Sequence, residues 1–408
     1  MSVRQQIAVT GLGMVTPAGS SVDATWRRVC EGASTAAATH PGLAGMPVDF
    51  CASVGEFDSS VVGRRNLYRL DRFVQFVLAA AHEALADAGL FAADWDGPRV
   101  GVVIGCGMGG VASWEKQHAR LIGQGPESVS PLMIPMMTPN SAAGEIALAL
   151  GARGPGLVVS TACASGGTAI VVARDLLASG QCDIVITGGT EAANTPLTVT
   201  AFANLGTLSQ RCEDPTAASR PFDADRDGFV MAEGAAALVL ERAEHAAARG
   251  RRPRALLAGC GSASEAHHPT APHPEGVGAS QALRAALRDA HLTAADIDHV
   301  NAHGTSTVLN DEVEARVIRE ALPHGPLVTS TKGVLGHLLG ASGAVEAALT
   351  VLAIQQSTVP PTANLQDPGP GIDLNLVTKT PSRQPVRAAL SNSFGFGGHN
   401  VVLAFTTA

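Results

Sequence analysis

The chain has 408 residues, 46% of them hydrophobic and 16% charged, with a formal net charge of −8. It is long enough for a large core or two fused domains, and too apolar for a disordered chain. The acid excess argues against nucleic acid as the main partner, and no apolar run approaches the roughly 20 residues of a membrane span.

Strand-like runs that close on glycine or small residues fall at 7–11, 100–105, 157–160, 183–188 and 236–240. Five more fall at 255–259, 298–302, 327–330, 388–391 and 401–405. Helical patterns lie between many of them, as at 73–85, 281–290 and 344–355. Near-continuous apolar strands alternating with helices predict α/β layers with buried sheets. Five strands on each side of residue 250 predict two similar halves, 1–250 and 251–408, alike in architecture without a residue repeat. Segments 59–72 and 123–140 read as irregular caps, the second broken by Pro131, Pro135 and Pro139.

Seven cysteines (30, 51, 106, 163, 182, 212 and 260) are scattered without a Cys-x-x-Cys pair. That pattern fits a reducing cytoplasm better than a disulfide framework or a zinc module. Gly105-Cys106-Gly107-Met108-Gly109-Gly110 matches G-x-G-x-x-G after a strand, but no clear helix opens behind it and no strand-end acid follows. It reads as close backbone packing. Asp223-Ala224-Asp225-Arg226-Asp227-Gly228 opens like a calcium loop, yet the closing glutamate falls one place early, at Glu233. Asx turns with local ion pairs are the expected outcome.

The chemistry gathers at four strand ends. At Val158-Val159-Ser160-Thr161-Ala162-Cys163-Ala164-Ser165-Gly166-Gly167-Thr168 a buried strand runs into a tight turn and then a helix. Cys163 therefore falls near a helix N-terminus, where free N–H groups and the helix dipole favour a thiolate. Taken alone, such a cysteine is as often a small buried hydrophobe. Asn301-Ala302-His303-Gly304-Thr305-Ser306-Thr307 and Ser330-Thr331-Lys332-Gly333-Val334-Leu335-Gly336-His337 each place a histidine past a strand's carboxyl end, where open α/β sheets build sites. Ser391-Asn392-Ser393-Phe394-Gly395-Phe396-Gly397-Gly398 is a turn glycine-rich enough to bring backbone N–H groups to a ligand.

In this order and spacing the four motifs resemble those of the elongating β-ketoacyl-acyl-carrier-protein synthases of fatty-acid and type II polyketide assembly, across essentially the whole chain. The resemblance implies a thiolase-like fold, with duplicated halves in five αβαβα layers, usually dimeric. It implies that Cys163 accepts the acyl chain, that His303 and His337 promote malonyl decarboxylation, and that Lys332 orders the histidines, paired with Glu314 and supported by Asp311. It implies an oxyanion hole from the N–H groups of Cys163 and Phe396, with Phe396 also a gate. It further implies pantetheine contacts at Thr305 and Thr307, an acyl pocket at Met108 and Phe202, and carrier docking at Arg64, Arg65 and Arg69. No dissociable cofactor and no catalytic metal are expected; a structural cation near Asn301, Glu346 and Asn392 is. Partners are an acyl carrier protein and either a second copy or a cysteine-less chain-length-factor homologue.

The chain departs from the resemblance at Glu127, Ser128 and Gly206, where fatty-acid relatives tend to be basic. The thinned patch, with an arginine- and alanine-rich composition, tilts the pathway toward a polyketide or polyene rather than primary fatty acids. A thiolase would need a second cysteine in the C-terminal glycine turn, and none follows Cys260. A non-catalytic chain-length partner would lack Cys163.

Overall fold

The computed structural model describes residues 5–57, 59–91 and 95–408. All ten expected strands form. In the first half they are β1 (Ile7–Val15), β2 (Val100–Gly105), β3 (Gly156–Val159), β4 (Ile184–Glu191) and β5 (Gly234–Arg242). The second half holds β6 (Ala255–Ser264), β7 (His299–Asn301) and β8 (Leu327–Thr329). Short strands β9 (Thr358–Val359), β10 (Asn375–Leu376) and β11 (Ser382–Arg383) follow, then β12 (Ala388–Gly395) and β13 (His399–Thr406).

The sheet order is β10-β8-β7-β12-β13-β6-β1-β5-β4-β2-β3. Read outward from the β1–β6 junction, each half runs first, fifth, fourth, second, third among its own five main strands. Pairing directions repeat as well: β2 is parallel to β3 and β4, and β7 is parallel to β8 and β12. The halves meet where Ile7, Ala8 and Val9 pair antiparallel with Leu257, Leu256 and Ala255.

Duplication reaches the residues, contrary to the expectation of no repeat. In β1, a Cβ on Gly11 or Gly13 would lie 2.0 or 1.9 Å from the carbonyl oxygens of Ala84 and Ala80. In β6, one on Gly261 would lie 2.0 Å from Ala282 O, and one on Gly259 would lie 2.4 Å from Ala290 N. In both halves, two alternate glycines of the first strand receive an alanine-lined helix, Arg72–Ala88 in one and Val277–Ala290 in the other.

Those two helices form the outer layers. Between the two halves of the sheet lie the elbow helix Ser165–Ala178 and the central helix Ser342–Gln356, in contact with each other. Every residue of the central helix from Ser342 to Ile354 is buried, as a helix apolar on nearly all sides requires. The two inner helices touch at their N-terminal turns: a Cβ on Gly343 would lie 2.7 Å from Gly167 N, and one on Gly166 would lie 2.7 Å from Ala344 N.

Gly343→Ala should therefore destabilise the protein by about 1–3 kcal/mol, the cost of overpacking a rigid core. A lower urea midpoint at unchanged m-value is the expected readout.

Candidate active site

Strand β3 ends at Val159, and the elbow turns within five residues. Ala162 sits at φ +49, in the left-handed region that L-residues seldom adopt outside functional turns. The turn is held by Ser165, whose hydroxyl accepts from Thr161 N at 2.9 Å and donates to Ala162 O at 2.6 Å. The helix starts at Ser165, three residues earlier than its apolar pattern suggests. Gly395 lies against this elbow: its Cβ would be 2.4 Å from Thr161 O and 3.2 Å from Cys163 N. That approach lets the Phe396 N–H act on the Cys163 thiol alongside the residue's own N–H.

One cavity of about 330 Å³ is lined by Cys163, His303, His337, Phe396, Thr305, Thr307 and Phe202. Seven of the site residues read from the sequence thus meet in one place. The His303 and His337 rings stand 5.4 Å apart at 83°, and Phe229 meets His337 edge-on at 5.1 Å. The Thr305 and Thr307 hydroxyls bond each other at 2.8 Å.

Behind the imidazoles lies a buried charge cluster. Lys332, 1% exposed, donates from Nζ to His303 O at 2.6 Å and to Glu346 Oε1. This corrects the implied partner, since Glu314 is not the lysine's counterion. Glu314 instead accepts from His303 N at 2.8 Å, Gly304 N at 2.7 Å and Asn392 Nδ2 at 3.0 Å. It holds the histidine's backbone, not the lysine. Asp311 lies one step further out, accepting from Phe222 N at 2.8 Å.

Burial sets the protonation states. It drives both imidazoles well below their ordinary pKa, and the Lys332 charge pushes the same way. Both rings are therefore neutral at physiological pH, each with one N–H to offer. Burial also pushes the Glu346 carboxyl up to about 7 against the pull of Lys332. Cys163 is pushed up to about 12 by burial, with Lys332 and the two N–H groups pulling down. Burial thus opposes the thiolate that the sequence suggested at this helix N-terminus.

Three buried acceptor oxygens in the same region meet no donor: Asn301 Oδ1, Glu346 Oε2 and Asn392 Oδ1. The Asn301 amide nitrogen is used on Glu346 O at 3.1 Å, and Ser391 in β12 is registered on Asn301 in β7. Orphaned oxygens of this kind fit a hard cation.

Other readings need correction. Met108 is 37% exposed and does not line the Cys163 cavity. A helix, Val111–Gln124, does follow the G-x-G-x-x-G run, but the Gly107 and Met108 N–H groups are taken by Glu191 at 2.8 and 3.1 Å. Arg69 already has a partner within the chain, a two-pronged pair with Glu145 with both contacts 2.7 Å, and its side chain remains 40% exposed. The side chains of Arg64 and Arg65 lie outside the described residues. The calcium-like loop is an Asx turn, with Asp223 accepting from Asp225 N and Arg220 Nε, each at 2.9 Å.

Sequence reasoning missed Glu191. It is fully buried at the end of β4 and also accepts from Gly340 N at 3.1 Å, tying the post-β2 loop to the segment behind His337. A carboxylate closing an apolar strand was the signal for it.

The family model for the N-terminal domain of β-ketoacyl synthases matches residues 4–246, and that for their C-terminal domain matches residues 254–366. The chain belongs to the β-ketoacyl synthase family. It is 44% identical to a 3-oxoacyl-acyl-carrier-protein synthase 2 of Synechocystis sp. over 98% of both chains, and 40% identical to one of Vibrio harveyi over 98% of both. Among solved structures, a β-ketoacyl synthase from Burkholderia phymatum superposes with a TM-score of 0.92 at 32% identity, covering 99% of this chain and all of that one. A type II polyketide ketosynthase, solved with its acyl-carrier protein and bound to the hexaketide, superposes at 0.91 and 33%, covering all of both chains. These neighbours share the thiolase-like fold of the family.

Lys332→Met should leave Glu346 buried without its cation. The expected loss is about 3 kcal/mol of stability by urea unfolding, the usual order for breaking a buried pair from one side.

Proposed function

We propose that the chain is a 3-oxoacyl-acyl-carrier-protein synthase that joins an acyl group on Cys163 to malonyl-carrier. Two buried imidazoles 5.4 Å apart, lining one cavity with Cys163, are the observation that carries this reading. Cys163 Sγ attacks the acyl-carrier thioester, and the thiol proton leaves with the pantetheine sulfur. Malonyl-carrier then enters, its C–CO₂ bond breaks, and the electron pair moves onto the thioester as an enolate. The N–H groups of His303 and His337 stabilise that charge. The enolate carbon attacks the acyl-Cys163 carbonyl. The tetrahedral oxyanion forms at the N–H groups of Cys163 and Phe396, each such donor worth roughly 3 kcal/mol. Collapse releases 3-oxoacyl-carrier, and the Cys163 thiolate regains a proton from water.

Loss of CO₂ drives the carbon–carbon bond, so the reaction needs no dissociable cofactor. A structural cation held by Asn301, Glu346 and Asn392 would neutralise oxygens behind the histidines and take no part in the steps. The Thr305 and Thr307 hydroxyls suit the amides of a pantetheine arm, and Phe202 suits the acyl chain.

The partner is an acyl carrier protein. Glu127, Ser128 and Gly206, with the arginine- and alanine-rich composition, favour a dedicated carrier of a polyketide or polyene pathway over the primary fatty-acid carrier. A dimer fits the free edge of β3, the last strand of its sheet, with Leu157 and Leu148 exposed beside it. A second copy and a chain-length-factor homologue both suit that edge. No helix among the described residues is long and apolar enough to cross a membrane, in keeping with a cytoplasmic enzyme.

With acyl- and malonyl-carrier supplied, Cys163→Ala should abolish condensation, and His303→Ala should lower malonyl decarboxylation about 100-fold or more. Intact-mass spectrometry of carrier and enzyme reads both, and full condensation by either variant would sink the reading. Because both imidazoles hold pKa values well below the ordinary 6.5, they stay neutral as pH falls through that value. The decarboxylation rate should therefore be level between pH 8 and 6, with no acid limb near 6.5, in a stopped-flow CO₂ assay.

A further inference from the structure

We propose that Ser342 is a positioning residue whose hydroxyl donates to His337 Nδ1 and so keeps the imidazole's proton on Nε2, the nitrogen left to the cavity. The inference rests on the condensation reading above and deepens it.

The contact is Nδ1 to Oγ at 2.9 Å, between a histidine 2% exposed and a serine 1% exposed. Ser342 opens the central helix, five residues past His337, and its hydroxyl has no other partner among the described residues. The direction of the bond follows from satisfying both groups. If Nδ1 carried the proton and donated, the serine's own proton would be buried with no acceptor, an arrangement folded proteins avoid. If the serine donates, both groups are satisfied and Nε2–H is free for a ligand. The backbone fixes the ring from the other side: His337 N donates to Val230 O at 2.8 Å, and His337 O accepts from Ala232 N at 3.0 Å.

A neutral imidazole has a single proton, so its location decides whether the ring can donate to an enolate at all. His303 lacks this device, since its Nδ1 is buried with no partner. The two histidines are therefore not equivalent. One has its tautomer imposed from behind, and the other is held mainly through its backbone N–H and carbonyl. Acyl transfer onto Cys163 makes no demand on the His337 proton, whereas decarboxylation does.

The test uses the full chain with ¹⁵N-labelled histidine, the His337 signals being assigned by their loss in His337→Ala. The expected spectrum of the free protein has Nε2 protonated and Nδ1 bare. Ser342→Ala should give a mixed tautomer and lower malonyl-carrier decarboxylation about tenfold or more, with acyl loading of Cys163 unchanged by intact mass. Ser342→Thr, which retains the hydroxyl, should restore the rate. A ring protonated on Nδ1 in the unaltered protein would overturn the proposal. So would a folded Ser342→Ala variant that decarboxylates at full rate or loses loading and decarboxylation equally. Should Ser342→Thr fail to fold, the spectrum of the unaltered protein still decides. Should the unaltered protein decarboxylate no malonyl-carrier, the condensation reading fails, and the spectrum tests the serine independently.

Discussion

Everything at the site depends on two inner helices crossing at their first turns with no side chain between them. Gly166 and Gly167 of one helix lie against Gly343 and Ala344 of the other at backbone distance. A helix's first turn follows the end of the strand before it. Contact there brings the end of β3 beside the segment that leaves β8. Cys163 and His337 hang from these two connections, which occupy equivalent places in the duplicated halves. Cys163 and His337 thus meet at one cavity because the scaffold is doubled and its centre is made of residues too small to hold them apart.

The cluster behind the histidines answers a second constraint. Burial drives the ionisable groups in a cavity wall toward neutrality. For the imidazoles that is useful, and Lys332 adds to it. Lys332 is held in place by Glu346 and by the His303 carbonyl. One buried cation therefore acts on three reactive groups. It disfavours protonation of both rings and partly opposes the burial that holds Cys163 as a thiol.

The sequence was most informative where chemistry and backbone need the same residue. The ten main strands, the cysteine elbow, both histidines and the Phe394–Gly398 turn were legible because strand ends, tight turns and reactive side chains all mark them. Pairings among buried charges were not. Glu314 and Glu346 are both carboxylates within reach of Lys332 by any sequence argument, and only packing decides which one it touches. The surroundings of Arg69 and Met108 were hidden for a related reason. An arginine reads the same with or without Glu145 beside it, and a loop methionine does not reveal that it stands outside the Cys163 cavity. Glu191 and Ser342 were overlooked because each is a lone polar residue in an apolar run, whose purpose appears only once distant backbone or a ring comes to rest on it. The glycine–alanine repeat escaped notice because its members are separated by a strand-to-helix connection of different length in each half.

The buried central helix has a consequence for how the protein is assembled. Its N-terminal turns are closed by the elbow helix of the first half, and its flanks lie on strands from both halves. A ribosome completes the first half long before that helix emerges. Until then the inner face of the first sheet and one side of the elbow helix have nothing to cover them. The halves are copies in topology but not in autonomy, since neither owns a complete interior. During synthesis that apolar surface stays exposed until the second half is made, and Cys163 meets the Phe396 N–H only once β12 and the turn after it have formed.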